Sequence, residues 1–286
     1  MLLSRAARPG SLRALVRASS SAPYTQRYRV KTFNAISPVG LQQFPTALYD
    51  VSPDEEEPFA IMLRSHQLQD DEVPSSVRAI ARCGAGTNNV PVNRMTERGI
   101  PVFNSPGANA NAVKELALCS LLMASRGIVQ SIGEIEKMLA VETDAGVIKK
   151  RVEAEKKKFG GCEIKGKTLG VIGLGYIGAS VAEAALKLGM DVVAYDPAIS
   201  LEAAWRLPGA TINRVMRLEE LLSKADYITL HVPYIPEVTH HMLDLPALQC
   251  MKPTCNIINF ARGELIDVDA LASMYKNGTF YGNYVS

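Results

Sequence analysis

The sequence predicts an α/β protein of two domains, a doubly wound parallel sheet in the C-terminal half preceded by a smaller α/β domain. Three observations predict it. From Lys167 onward, short apolar strands alternate with helical segments, the pattern of a parallel sheet covered on both faces. A glycine-rich strand-to-helix turn opens that second half rather than the chain itself. The 286 residues suffice for two domains with well-buried cores.

Residues 1–24 stand apart from both domains. Six arginines precede residue 30, and the first acid in the chain is Asp50. A segment rich in Arg, Ser and Ala without Asp or Glu has the composition of an organellar transit peptide, mitochondrial ahead of plastid. The alternative is a basic tail without an address, which leaves the protein in the cytoplasm. Without those six arginines the chain carries 25 cations against 29 anions, so the body is mildly acidic and gives no reason to expect nucleic-acid binding. No run of 18 apolar residues occurs, and no membrane span is expected. The five cysteines form no C-x-x-C pair and the four histidines no H-E-x-x-H pair, so neither a disulfide framework nor a metal site is expected.

Residues 28–126 read as the smaller domain. Tyr28 to Asn34, Ile61–Leu63, Ala79–Ile80 and Pro101–Asn104 are apolar strand segments separated by Pro, Asp and Ser clusters. Asn109 to Arg126 carries Val113, Leu116, Ala117, Leu121 and Leu122 at helical spacing. Residues 127–160 form a charged helical insert, with helices expected over Gly133–Leu139 and Val147–Phe159. Its Lys156-Lys157-Lys158 run reads as a solvated helix face or a dimer arm ahead of an anion site.

Residues 161–286 carry the regular alternation. Strands are expected at Thr168–Ile172, Asp191–Tyr195, Tyr227–Val232 and Asn256–Phe260, with a further strand beginning within Phe280–Val285. Helices are expected at Ile177–Leu188, closed by Gly189, and at Leu218–Lys224, Pro246–Met251 and Val268–Lys276.

The first strand of this half runs into Gly173-Leu-Gly175-Tyr-Ile-Gly178, a G-x-G-x-x-G turn. Gly173 permits the tight turn, Gly175 lets backbone approach a pyrophosphate, and Gly178 lets helix and strand pack closely. The pyrophosphate then meets the free N–H groups and positive dipole end of the helix. The next strand ends in Asp196, 18 residues after Gly178. An acid there accepts hydrogen bonds from ribose hydroxyls and repels a 2′-phosphate, and the next arginine is Arg206, so NAD is favoured over NADP. This is a Rossmann dinucleotide-binding pattern. Two further strands end at the same edge in His231-Val232-Pro233 and Asn259-Phe260-Ala261-Arg262-Gly263. From its position alone, Arg262 is either a planar fork for a carboxylate in the cofactor crevice or a structural arginine in a surface ion pair.

These motifs, in this order, resemble those of the D-isomer-specific 2-hydroxyacid dehydrogenases: Gly173 to Gly178, Tyr195-Asp196-Pro197, His231-Val-Pro233, and Ala261-Arg262-Gly263 with Leu265-Ile266-Asp267 behind. Leu63-Arg64-Ser65-His66, Ala81 to Asn89 and Val102 to Leu116 are most similar to the branch that oxidises D-3-phosphoglycerate to 3-phosphohydroxypyruvate. The resemblance implies a flavodoxin-like substrate domain, NAD as hydride acceptor and a small phosphorylated hydroxy acid as substrate; the charged insert beside a Rossmann domain suggests, by analogy, a homodimer. It also implies site residues. Arg64, Ser65, Ala85, Gly86 and Asn104 approach substrate, and backbone at Tyr176 and Ile177 meets the pyrophosphate. Asp196 takes the ribose. His231, Val232 and Pro233, with Phe260, Ala261 and Arg262, line the nicotinamide. Arg262 anchors the substrate carboxylate and polarises its carbonyl.

In that family the general base, a histidine oriented by a carboxylate, and a final helix returning to the first domain follow the stretch matched here. The family's aspartate near the nicotinamide amide falls at Ser286 or one residue later. A chain cut short of its base is therefore expected. Other readings are a glyoxylate or hydroxypyruvate reductase or a formate dehydrogenase of the same family, an NAD-sensing protein that recruits partners, and a catalytically inactive NAD-binding fragment.

Overall fold

The computed structural model describes residues 27–34, 36–198 and 212–286. The expected leader and Arg206 lie outside the described residues. The described residues divide into two compact units, one of residues 27–34, 36–83 and 87–104, the other of residues 84–86, 105–198 and 212–286.

The first unit is a five-stranded parallel sheet: β1 (Tyr28–Thr32), β2 (Tyr49–Ser52), β3 (Ala60–Leu63), β4 (Ala79–Arg82) and β5 (Val102–Asn104), in the order β2-β1-β3-β4-β5. That is the flavodoxin-like order. Helices α1 (Pro38–Leu41) and α2 (Val92–Glu97) belong to it. Ile61, Leu63 and Ile80 pack with Leu68, Val73, Val77, Val90, Met95 and Ile100 into one core on a single sheet face. β2 was not visible in the sequence, because Tyr49-Asp-Val-Ser52 is a short edge strand with little apolar alternation.

The second unit opens with α3 (Ala110–Ser125), α4 (Ile128–Val141) and α5 (Ala145–Glu155). Its sheet follows as β6 (Thr168–Ile172), β7 (Asp191–Tyr195), β8 (Ile212–Arg214), β9 (Tyr227–Leu230), β10 (Asn256–Asn259) and β11 (Tyr284–Val285). The strand order is β11-β10-β9-β6-β7-β8, all pairings parallel. This is the doubly wound dinucleotide-binding order, with the switch point between β6 and β9. Further helices are α6 (Tyr176–Lys187), α7 (Leu218–Lys224), α8 (Leu245–Gln249) and α9 (Val268–Lys276).

Alternate residues of each central strand serve opposite faces. Leu169 and Val171 of β6 join Ala117 and Leu121 of α3 and Val181, Ala182 and Ala185 of α6. Ile172 joins Leu221 and Leu222 of α7, Leu248 of α8, and Leu271 and Met274 of α9 on the other face. Gly170 belongs to that second face, where a side chain would strike Leu221. Gly189, at φ +82°, ends the α6 segment as expected, and the Met190 N–H reaches back to the Ala185 carbonyl.

The domain boundary differs from the expected one at Arg126. The contacts divide the chain near Asn104, and α3 belongs to the second unit. Ala117 and Leu121 explain this, since both are buried in the core beside α6. The expected insert at 127–160 likewise falls in the second unit. The end of its second expected helix, Lys156–Phe159, is a 3-10 turn.

Candidate functional site

The four adjacent strands β10, β9, β6 and β7 end side by side at the carboxyl edge of the second unit's sheet. That edge carries Arg262, His231, Gly173 and Asp196 on successive strand ends. An open α/β sheet binds ligands there, at the switch point.

Gly173 has φ +93°, a left-handed conformation that glycine adopts without a steric cost. A side chain there would also meet Val232 Cγ1 at 2.8 Å and the His231 carbonyl at 2.9 Å. The Gly173 N–H still donates to Tyr195 O at 2.9 Å, which keeps the turn in line with β7. Gly178 lies in the first turn of α6, and a methyl on it would collide with the Gly173 carbonyl oxygen. Gly175 is the N-cap of α6, and no side chain caps the helix there. A Cβ at Gly175 would meet nothing within 4 Å, so its backbone borders open space. Tyr176 and Ile177 follow as the first residues of the helix, one residue earlier than the apolar spacing placed its start.

Asp196 does more than the ribose role expected of it. Its Oδ2 accepts the Leu174 N–H at 2.8 Å, and its Oδ1 accepts the Ala198 N–H at 3.0 Å. A carboxylate oxygen has two lone pairs, so each retains accepting capacity for a hydroxyl.

His231 continues β9, its N–H donating to Ile172 O at 2.8 Å. Burial of the imidazole pushes its pKa down to about 4, so the ring is neutral at physiological pH. Nε2 lies 3.0 Å from the Thr229 hydroxyl. Val232 packs on the Gly173 turn. Pro233 follows in a turn tied by Thr239, whose Oγ1 donates to Pro233 O at 2.9 Å and accepts the Ile235 N–H at 2.7 Å.

Phe260 packs beside the core that holds Ile258. Ala261 and Arg262 follow in extended backbone, and Arg262 Nη1 donates to Ala261 O at 2.8 Å. Arg262 is half-buried and leads into the 3-10 turn Gly263–Leu265. Asn259 ends β10 directly before this loop and hydrogen-bonds it at two points. Sequence reasoning passed over Asn259; a polar residue closing the apolar run Asn256-Ile-Ile-Asn259 was the available signal.

The remaining expected residues are divided between the units. Ala85 and Gly86, with Gly84, belong to the second unit, where Gly84 O accepts the Ser105 N–H at 3.0 Å. Arg64, Ser65 and Asn104 belong to the first. Arg64 and Ser65 are exposed at the carboxyl end of β3. Their loop is held through its backbone. Asn34 Oδ1 accepts the N–H groups of Ser65 at 3.0 Å and His66 at 2.6 Å. Asn89 Nδ2 donates to Arg64 O at 3.1 Å and His66 O at 2.7 Å. His66 is pinned in turn, with Nε2 at 2.9 Å from Glu72 and its ring stacked 4.3 Å from Phe33. Neither asparagine was singled out from the sequence. Asn34 has φ +65°, rare for a residue with a side chain, and nothing in the sequence signals it. Among the described residues, no group of three or more His, Cys, Asp or Glu is gathered to hold a metal.

The glycine turn, the uncapped α6 N-terminus beside open space and the acid at the end of β7 together fit a dinucleotide. Comparison with known proteins agrees. Residues 135–285 match the model of the D-isomer specific 2-hydroxyacid dehydrogenase NAD-binding domain, more than half of the chain. A D-3-phosphoglycerate dehydrogenase of Methanocaldococcus jannaschii is 39% identical over 207 residues, 72% of this chain and 36% of that protein. The chain thus spans little more than a third of that relative's length. A hydroxypyruvate reductase of Thermotoga maritima is 38% identical over 210 residues, 73% of this chain and 61% of that protein. Among solved structures, the holo form of Rhodotorula graminis D-mandelate dehydrogenase is 28% identical with a TM-score of 0.71, covering 89% of this chain and 79% of that one.

Proposed function

Because the chain belongs to the D-isomer-specific 2-hydroxyacid dehydrogenases and carries their NAD-binding domain, we propose that it oxidises a D-2-hydroxy acid, D-3-phosphoglycerate, at C2. The observation that carries this is the row of four strand ends that sets Arg262, His231, Gly173 and Asp196 along one sheet edge. NAD, when bound, supplies the hydride acceptor. The chain's residues bind and orient. Backbone at Gly175, Tyr176 and Ile177 meets the pyrophosphate at the positive end of α6. Asp196 accepts the ribose hydroxyls, and its charge disfavours a 2′-phosphate. His231, Val232 and Pro233 on one side, and Phe260, Ala261 and Arg262 on the other, line the nicotinamide.

Arg262 holds the substrate carboxylate and stabilises charge that develops on the C2 oxygen. His231 is not assigned as the base that takes the hydroxyl proton, because a ring whose pKa is pushed down to about 4 is a weak proton acceptor and its Nε2 is engaged with Thr229. Arg64, Ser65, Ala85, Gly86 and Asn104 supply the rest of the substrate contacts. The likeness to phosphoglycerate dehydrogenases supports the phosphorylated substrate.

The test is NADH oxidation with 3-phosphohydroxypyruvate and with hydroxypyruvate, side by side. A preference for the phosphorylated acid supports the proposal. The second reading, a hydroxypyruvate reductase, rests on the Thermotoga relative, and a preference for the free acid establishes it instead. NADH binding with neither turnover identifies an NAD-binding chain without catalysis.

Two further proposals concern assembly and address. A homodimer is supported by apolar side chains left exposed along α3 and α4, among them Leu122, Val129, Ile132 and Leu139. No single helix among the described residues is long and apolar enough to cross a membrane; α3 and α4 pass that test only as a pair, bent by 65° at their junction. Sedimentation of the Ile132→Glu variant against wild type tests the dimer. Residues 1–24 are proposed to direct the protein to the mitochondrion, on their Arg-, Ser- and Ala-rich composition. Fusing them to a fluorescent reporter tests that.

A further inference from the structure

Asn259 is the last residue of β10 and is 4% exposed. A carboxamide so enclosed is unfavourable unless both of its ends find partners. Both ends do, and both partners lie on the loop that follows. Oδ1 accepts the Ala261 N–H at 3.1 Å, and Nδ2 donates to the Arg262 carbonyl at 2.8 Å. The partners also fix which way round the amide lies, since a flipped group would set N–H against N–H and oxygen against oxygen.

These bonds bracket the Ala261–Arg262 peptide where the chain leaves the strand. Arg262 has φ −147° and ψ 139° there, and the next residue already begins the 3-10 turn. The carbonyl of the bracketed peptide unit, Ala261 O, takes Nη1 of Arg262 itself at 2.8 Å. One buried carboxamide therefore sets the backbone from which the guanidinium springs, and that backbone sets the direction of the guanidinium.

We infer that Asn259 is a positioning residue for Arg262, resting on the reading of Arg262 as the anchor for the substrate carboxylate. It acts through the Ala261–Arg262 backbone, and its contribution is to hold the guanidinium in register before the substrate arrives. A purely structural asparagine would matter to stability alone. A positioning asparagine matters far more to the affinity of the folded protein for a 2-oxo acid than to that for NADH, whose pyrophosphate and ribose are held on other strand ends.

The full chain saturated with NADH is titrated with oxamate, a stable mimic of a 2-oxo acid, and nicotinamide fluorescence is followed. Asn259→Asp keeps the size and the acceptor for Ala261 but loses the donor to Arg262. Expected are NADH affinity within about threefold of wild type, oxamate affinity weaker by about tenfold or more, and faster amide exchange in the peptide spanning residues 260–263. Asn259→Ser, smaller and uncharged, answers the same question where the aspartate variant does not fold. A folded variant with faster exchange but wild-type oxamate affinity overturns the inference and leaves Asn259 structural. An Arg262→Ala variant that binds NADH and oxamate as tightly as wild type removes the anchoring role of Arg262, and this inference with it. That failure is visible in the Arg262 variant alone, before Asn259 is touched.

Discussion

Asp196 accepts the Leu174 N–H at 2.8 Å, so the acid that ends β7 also fastens the glycine turn that ends β6. Its two tasks can be separated. Asp196→Asn keeps an acceptor for Leu174 but loses the charge and the exposed bond from the Ala198 N–H; Asp196→Ala loses all three. The asparagine variant is expected to stay within about 0.5 kcal/mol of wild-type stability, the alanine variant to lose about 1–2 kcal/mol, since it leaves a partly buried amide unpaired. Both weaken NAD binding, and the asparagine variant narrows the preference over NADP. Urea unfolding and NAD(H) titrations read the two effects. An alanine variant as stable as wild type shows that the Leu174 bond contributes nothing.

Gly175 and Gly178 are three residues apart and face opposite constraints. A methyl on Gly178 collides with the Gly173 carbonyl, so Gly178→Ala must shift α6 or the turn and is expected to cost about 1–3 kcal/mol together with NAD binding. A methyl on Gly175 touches nothing, and its backbone is not left-handed. Gly175→Ala is therefore expected to fold with wild-type stability and still lose NAD affinity by about tenfold or more, by occupying space the pyrophosphate needs. Calorimetric melting and NADH fluorescence separate the cases. Wild-type NADH affinity in Gly175→Ala would displace the pyrophosphate from this turn.

The second unit was legible in the sequence because its signals are local. The central strands there are apolar runs flanked by turn residues, and the glycine turn has fixed spacing to Asp196, so β6, β7, α7 and α9 fall where the pattern put them, while the polar edge strand β8, Ile212-Asn-Arg214, was not expected. The first unit was less legible. β2 lacks alternation, and α1 and α2 are too short to show a helical period. The boundary at Asn104 was hidden for a different reason: α3 reads as a continuation of the strands before it, and only the burial of Ala117 and Leu121 against the second sheet assigns it. Asn34, Asn89 and Asn259 were missed alike. Their work is done on backbone 2 to 32 residues away, which spacing cannot reveal.

Asn89 is to the Arg64 loop what Asn259 is to the Arg262 loop, with one difference. Its Nδ2 holds Arg64 O and His66 O, but its Oδ1 is buried without a hydrogen-bond partner. Asn89→Ala loses two bonds and also relieves an unsatisfied acceptor, so the expected cost is about 1–2 kcal/mol rather than more. If Arg64 and Ser65 contact substrate, the variant raises KM for the 2-oxo acid with little change in the NADH dissociation constant. Steady-state kinetics with each substrate varied in turn checks this. A loss of stability with unchanged KM would leave the loop structural and remove Arg64 from the substrate site.

The neutral, half-buried His231 gives the protein an acid sensitivity of predictable sign. Burial lowers its pKa from 6.5 to about 4. Between those values the unfolded chain takes up a proton and the folded one does not, so acidification favours unfolding. Stability is therefore flat above about pH 6.5, falls as pH drops from there towards 4, and His231 adds nothing further below that. The difference in pKa bounds the effect at about 3 kcal/mol. Asp226, which burial opposes but Lys252 and the Thr168 amide hold below its usual 3.8, contributes only in stronger acid, so the two windows are distinct. His231→Gln, which keeps a group able to reach the Thr229 hydroxyl and does not titrate, is expected to flatten the slope between about pH 4.5 and 6.5. Urea unfolding at several pH values measures it. An unchanged slope in the glutamine variant would show that the imidazole is not enclosed and restore it as a candidate for proton transfer.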